Sequence, residues 1–309
     1  MTPMQLRAQV AQLSLAPTED AVARSILYAA LFDYPLTLSE LRRTLIRSRQ
    51  TASEILATVR NSPSLREIVD SKDGYFFPAG CAHLVETRRH RAVRSRSFLA
   101  SHRLILRLLT ACPFVRMVAL SGSVAHMNLE SGGDLDVFIV TRGAHVWLVA
   151  VTVVLLAKLL GRRRTLCANF IISDGDLRFA QADLFTANQI IGLVPLTGAD
   201  TFQRLLDANP FVADYYPNFH AADRVTAHVR RRPRLPWLKP FVESLLWMPA
   251  ALAERVCRRA YRSYLQRRAA RWTSPEQVHL GDTVLKLHTR SHRSDVISRF
   301  EETLRNALP

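Results

Sequence analysis

A chain of 309 residues in which 48% are hydrophobic is long enough for two or three domains and too apolar to be disordered throughout. The formal net charge of +16 predicts attraction to polyanions; arginine supplies nearly all of it, as a coding bias toward arginine would also produce, because Lys72, Lys158, Lys239 and Lys286 are the only lysines. Cys81, Cys112, Cys167 and Cys257 form no Cys-x-x-Cys pair and residues 1–7 show no basic block before an apolar one, so reduced thiols and a cytoplasmic setting are expected.

Val22, Ile26, Leu27, Ala30 and Leu31 recur with helical spacing over Asp20 to Asp33, and Tyr34-Pro35 ends that run. Thr37 or Ser39 caps a second helix with Leu38, Leu41 and Leu45 on one side, and a third is predicted from Ser53 to Asn61. Leu65 to Val69, the turn Asp70-Ser71-Lys72-Asp73-Gly74 and Tyr75 to Pro78 have the pattern of a β-hairpin. Three helices and a hairpin resemble the winged-helix fold of many DNA-binding regulators, which sets a first domain at residues 1–80. That resemblance implies a third helix facing a groove, with Arg47, Arg49 and Arg60 near phosphates, although Thr51 to Leu56 offer few long donors for base edges.

Residues 81–112 read as one basic connecting helix or two, dense in arginine from Thr87 to Arg96. They form either a solvated face or a set of phosphate contacts. The apolar run Met117 to Leu120 then reads as a buried strand, and Gly122 and Ser123 let the backbone turn closely enough for N–H groups to meet phosphate. In the next strand Asp134 and Asp136 share a face by the period of two, while Leu135, Val137 and Ile139 face the core. Two carboxylates on one face invite a divalent cation.

Gly122-Ser123 followed by Gly133-Asp134-Leu135-Asp136-Val137-Phe138 resembles the signature of the DNA polymerase β-like nucleotidyltransferase superfamily. The resemblance implies an α+β fold with a mixed sheet flanked by helices over residues 113–220. It further implies Mg²⁺ or Mn²⁺ held by Asp134 and Asp136, and triphosphate bound at Gly122 and Ser123. The reaction implied is transfer of a nucleoside monophosphate from a nucleoside triphosphate to an acceptor the sequence does not specify, with release of pyrophosphate. Superfamily members carry a third carboxylate on a neighbouring strand. Here the strand Thr165 to Ile172 has none, which leaves Asn169, or Asp174 and Asp176 at its end, as candidate third ligands. The missing acid keeps open a non-catalytic nucleotide sensor or a nucleic-acid-binding regulator on the same fold.

Val146 to Leu160 is continuously apolar but shorter than the roughly 20 residues a membrane span needs, so a buried helix is predicted and membrane contact is not expected. Leu184 to Ile191 and Thr201 to Ala208 read as helices, and Val194 to Leu196 as extended. Val229 to Pro240 reads as a linker or arm. The last region, 221–309, is expected to be mainly helical, with Phe241 to Arg271 apolar first and arginine-rich later. With the winged helix, its arginines are the candidate nucleic-acid contacts. The whole order of elements resembles bacterial nucleotidyltransferase-domain proteins with an N-terminal winged helix. His288 and His292 stand four apart without a third ligand, and Ser121, Ser123 and His126 lack the elbow and acid of a nucleophilic triad.

Overall fold

A computed structural model describes residues 15–224, 238–287 and 293–308. Helix α1 (Pro17–Ala30) is followed by β1 (Leu36–Thr37), α2 (Leu38–Arg43), α3 (Ala52–Asn61), α4 (Pro63–Ile68), β2 (Val69–Lys72) and β3 (Tyr75–Pro78). Thr37 with Glu40 and Thr51 with Glu54 form capping boxes that start α2 and α3, each hydroxyl accepting from the glutamate N–H while the carboxylate takes the threonine N–H. The hairpin is shorter than its sequence suggests. Pro63 presets the first helical φ and the Ser62 hydroxyl accepts from Leu65 N–H at 3.0 Å, so Leu65 to Ile68 become helical and the strand begins at Val69. Asp73 and Gly74 take φ of 54° and 78°, the two left-handed positions of a tight hairpin turn. The strands pair antiparallel in the order β1-β3-β2 over a core of Val22, Ile26, Leu41, Leu45, Ile55 and Phe76.

Two helices connect this unit to the main sheet, α5 (His83–Ser101) and α6 (Arg103–Ala111). They break at His102, which is buried with its ring bonded to Phe98 O at 2.8 Å and Thr165 Oγ1 at 3.0 Å. Two arginines of α5 are held in internal contacts. Arg88 donates to Pro35 O and to Glu40 and lies 4.0 Å over Tyr34, while Arg91 pairs with Asp33 at 3.1 Å and Glu130 at 3.0 Å.

The main sheet is mixed, with order β7-β4-β5-β6-β9-β8. Its strands are β4 (Val115–Leu120), β5 (Leu135–Thr141), β6 (Leu166–Ser173), β7 (Val194–Thr197), β8 (Val278–Leu280) and β9 (Val284–Leu287). Only β5 and β6 are parallel, so a crossover must join them, and α8 (Val146–Leu159) supplies it. That accounts for the apolar run: Val146, Trp147, Val149, Ala150 and Val153 are buried on one face of the sheet, which also receives α6 and α13 (Trp247–Gln266). The other face, Met117, Ala119, Phe138, Val140 and Ile172, is covered by α9 (Leu184–Gly192), α10 (Ala199–Asp207), α11 (Phe211–Tyr215) and α14 (Arg293–Ala307). Burial on both sides explains why β4 and β5 lack alternation.

Residues 221–309 are less a helical tail than expected, since β8 and β9 extend the sheet through β6. In α14, Phe300 packs edge-on against Tyr28 of α1 at 4.9 Å, tying this region to the N-terminal unit. The expected arm from Val229 to Pro240 lies mostly outside the described residues, as do His288 and His292. Among the described residues no helix is long and apolar enough to cross a membrane.

Candidate functional site

Strand β4 ends at Leu120, and the ladder runs one residue further where Ser121 N–H donates to Asp136 O at 3.0 Å. The chain then turns into α7 (Gly122–Ala125), anchored by buried Val124 and Ala125. Gly122 is fixed by two demands. Its φ of +62° is left-handed, and a Cβ there would stand 2.5 Å from Asp136 Oδ2. The small-residue turn and the paired aspartates, read from separate stretches of sequence, thus touch. The Ser123 hydroxyl makes no hydrogen bond among the described residues, while its carbonyl accepts from Asn128 N–H at 2.9 Å.

Asp134 and Asp136 share the face that carries Phe138 and Val140, as the period of two requires. Burial, and then the neighbouring Asp134 charge, push the Asp136 carboxyl up to about 6. Neither aspartate forms an ion pair with arginine or lysine among the described residues. Cys167 is the strand partner of Asp136 across the parallel ladder, and its thiol donates to Asp134 Oδ2 at 3.5 Å. Burial and the two aspartates push that thiol up to about 12, so it is protonated at neutral pH and serves as a donor.

The proposed third ligands fare differently. Asn169 lies in β6, at a bulge where Asp136 pairs with Cys167 but Phe138 pairs with Phe170; its side chain lies outside the described residues. Asp174 is not at this site. Because β5 and β6 run parallel, Asp134 and Asp136 open one strand while Asp174 follows the end of the other, about 20 Å further along the pair. Its carboxylate accepts from Gly143 N–H at 2.8 Å, and Asp176 accepts from the Thr283 hydroxyl at 2.7 Å. Both acids are turn and sheet-edge fixtures.

The far end of α7 leads into a second polar cluster that no sequence pattern indicates. His126 is held edge-on to Tyr34 at 5.6 Å, and burial, then the Arg224 charge, push it down to about 3, so it stays neutral. Its backbone N–H donates to Ser123 O at 3.2 Å, but its ring makes no hydrogen bond to the Ser121 or Ser123 hydroxyl among the described residues. Arg224 is only 9% exposed and donates through Nε to Ile191 O at 2.8 Å; burial and then Arg43 pull it down to about 10. Arg43 reaches Glu40 at 3.6 Å, and its own Nε is buried without a hydrogen bond. Glu40 is shared with Arg88 at 2.8 Å, so the cluster holds more positive than negative charge. Its members come from α2, α5, the end of α7 and a short turn after α11, which is why spacing cannot reveal it.

Among the described residues no three His, Cys, Asp or Glu side chains gather as a metal site. Two carboxylates suit a hard cation that draws its remaining ligands from substrate phosphate and water, which is how Mg²⁺ is commonly bound; the protonated thiol of Cys167 is not such a ligand. Comparison with family models, curated proteins and solved structures found no match.

Proposed function

We propose that the chain is a metal-dependent nucleotidyltransferase that moves a nucleoside monophosphate from a nucleoside triphosphate to an acceptor. One observation carries this reading: Gly122 lies directly against the Asp136 carboxylate, so the phosphate-sized turn and the carboxylate pair form a single site. Asp134 and Asp136 would hold Mg²⁺ or Mn²⁺, and the cation, when bound, neutralises triphosphate charge and favours in-line displacement at phosphorus. Backbone at Gly122 and Ser123 faces the phosphates. Further along α7, about 6 Å of helical rise from Gly122 to His126, the guanidinium groups of Arg43 and Arg224 offer donors to an anion. In the reaction an acceptor oxygen bonds to the α-phosphorus, the bond to the β-phosphate oxygen breaks, and pyrophosphate leaves with that electron pair as the acceptor proton passes to solvent.

A specific observation favours a second reading, a nucleotide-binding regulator without turnover. The strand position opposite Asp136 holds the Cys167 thiol, a group unable to act as a base. The N-terminal unit supports a winged-helix reading through its three-stranded sheet packed on α1 to α3. It speaks less for base reading, because Arg47 stacks on Tyr215 at 4.7 Å and Glu54 caps α3. The cysteines are free, which supports a cytoplasmic setting.

Isothermal titration with each nucleoside triphosphate, with and without Mg²⁺, followed by a radiolabel-transfer assay, tests both readings. Cation-dependent binding and label transfer, reduced about 100-fold or more in Asp136→Asn, support the enzyme. Full activity in Asp136→Asn overturns it; binding without transfer to any acceptor favours the regulator.

A further inference from the structure

Nine of the fifteen exposed large apolar side chains among the described residues fall on two consecutive helices, α12 (Leu238–Leu245) and α13, or on Leu246 between them. Phe241, Leu245, Met248, Leu252 and Val256 follow one another at spacings of four, three, four and four, which puts them on one continuous helical face. Met248 is 81% and Leu245 70% exposed. Together they leave an apolar strip on the order of several hundred Å², at the upper limit of what a monomeric protein shows water.

The polar residues of the same helices are sorted by sign. Over residues 247–271 there are seven arginines and one acid, Glu254. That acid is turned inward, accepting from Trp147 N–H at 3.1 Å and Leu148 N–H at 2.6 Å at the start of α8. Glu243 on α12 is fully buried, accepting from Phe114 N–H at 2.9 Å and pairing with Arg142 at 2.9 Å. Both carboxylates are spent fastening the helices to the sheet. What remains outside is apolar in the first half and cationic in the second, where Arg255, Arg259 and Arg262 are exposed.

We infer that the outer face of α12 and α13 is a peripheral membrane-binding surface for bilayers bearing anionic phospholipid. Large apolar side chains with an aromatic, Trp247, beside an arginine field in which Asp282, paired with Arg258 at 2.6 Å, is the one carboxylate ion-paired to α13 among the described residues have the composition of a helix lying in the headgroup boundary. A second copy of this chain fits less well, because two such arginine fields would repel. The apolar strip is what nucleic acid does not need. The apolar run 146–160 is a separate element, with Val146, Trp147, Val149, Ala150 and Val153 buried against the sheet and Leu155 and Leu159 exposed; this surface lies elsewhere, and the inference is independent of the nucleotide reading.

The test is co-sedimentation of the full chain with vesicles of phosphatidylcholine alone or mixed with phosphatidylglycerol, at low and high salt. Binding to the mixed vesicles only, weakened by salt, is expected. Leu245→Glu with Met248→Glu should reduce it at least tenfold, and Arg259→Glu with Arg262→Glu should weaken it severalfold, with the thermal midpoint unchanged because these side chains are exposed. Trp247 fluorescence, compared with Trp247→Phe, should shift to the blue on binding. Absence of vesicle binding overturns the inference. So does binding that Leu245→Glu with Met248→Glu leaves intact, binding of RNA or DNA in preference to vesicles, or a dimer that the same pair dissociates.

Discussion

The two ends of the β5–β6 pair carry similar polar residues and treat them in opposite ways. At the end of the strands, Asp174 accepts from Gly143 N–H at 2.8 Å and stands 3.9 Å from Arg116, its backbone carbonyl takes Arg204 at 2.9 Å, and Thr141 donates to Gly143 O at 3.0 Å. At the beginning, Asp134 and Asp136 crowd each other with only the Cys167 thiol between the strands, and Asp136 is raised to about 6. The first arrangement stabilises the turn it closes. The second disfavours the charged form of Asp136, and carboxylates perturbed by burial and a neighbouring charge gather at functional sites more than elsewhere. Carboxylates without a basic partner at one end and, beyond α7, three arginines grouped around the single carboxylate of Glu40 differ in sign, as the proposed site for a cation with a polyphosphate would require.

The largest effect is expected from the cluster beyond α7, read by acid titration of stability. His126, packed beneath Tyr34, Glu40, Arg43, Arg88 and Arg224, is held near 3 against an ordinary 6.5. The unfolded chain therefore binds more protons across that window, so His126 contributes stability that is complete above 6.5 and lost as pH falls toward 3. Asp136, raised to about 6 from an ordinary 3.8, works in the opposite sense and gains stability as pH falls through the same window, so the His126 term is isolated by difference: between pH 7 and 4 the stability of the parent chain relative to His126→Gln should fall by a few kcal/mol in denaturant melts. Glu40, which burial raises but the Arg88 and Thr37 bonds bring down to about 2, adds its own loss only below its ordinary 4.5.

Two glycines give the next contrast. Gly122 and Gly143 both have left-handed φ, +62° and +54°, but a Cβ at Gly143 meets nothing closer than His145 Nδ1 at 3.9 Å. Gly143→Ala should cost about 1 kcal/mol by chemical denaturation, the backbone strain alone. Gly122→Ala must also displace the Asp136 carboxylate, so a cost of about 1–3 kcal/mol should come with loss of Mg²⁺-dependent nucleotide binding. Equal behaviour of the two would sever the turn from the carboxylates.

Much of this was legible in sequence. The Thr-x-x-Glu caps, the apolar strands and the aspartate pair all declare themselves over a few residues, because period and capping are local properties. Strands β8 and β9 do not: each is short and partly exposed, and the pair joins the sheet only where β9 meets β6, more than a hundred residues away. The arginine cluster is invisible for the same reason. Asp174 was misplaced although the signal existed. Two strands joined by a crossover helix run parallel, so residues beginning one and ending the other stand at opposite edges.

The absent third acid can be supplied. Cys167→Asp places a carboxylate opposite Asp136, and titration calorimetry should find Mg²⁺ bound about tenfold tighter, at some loss of stability without cation from three crowded charges. Cys167→Ser should leave affinity near that of the parent chain. An unchanged affinity in the aspartate variant would mean that the strand opposite Asp136 does not face the cation.

The smallest effect should come from the acid that the fold keeps for itself. Asp174→Ala removes the acceptor for Gly143 N–H and the neighbour of Arg116, a partly exposed pairing whose loss should cost about 1 kcal/mol in chemical denaturation. Nucleotide and Mg²⁺ affinity should not move, because roughly 20 Å of strand separates this turn from Asp136. A drop in affinity with unchanged stability would reverse the assignment of the two ends and bring Asp174 back as a ligand. A drop in stability alone fits a carboxylate already satisfied by its own turn, unlike Asp134 and Asp136, which have no arginine or lysine partner among the described residues.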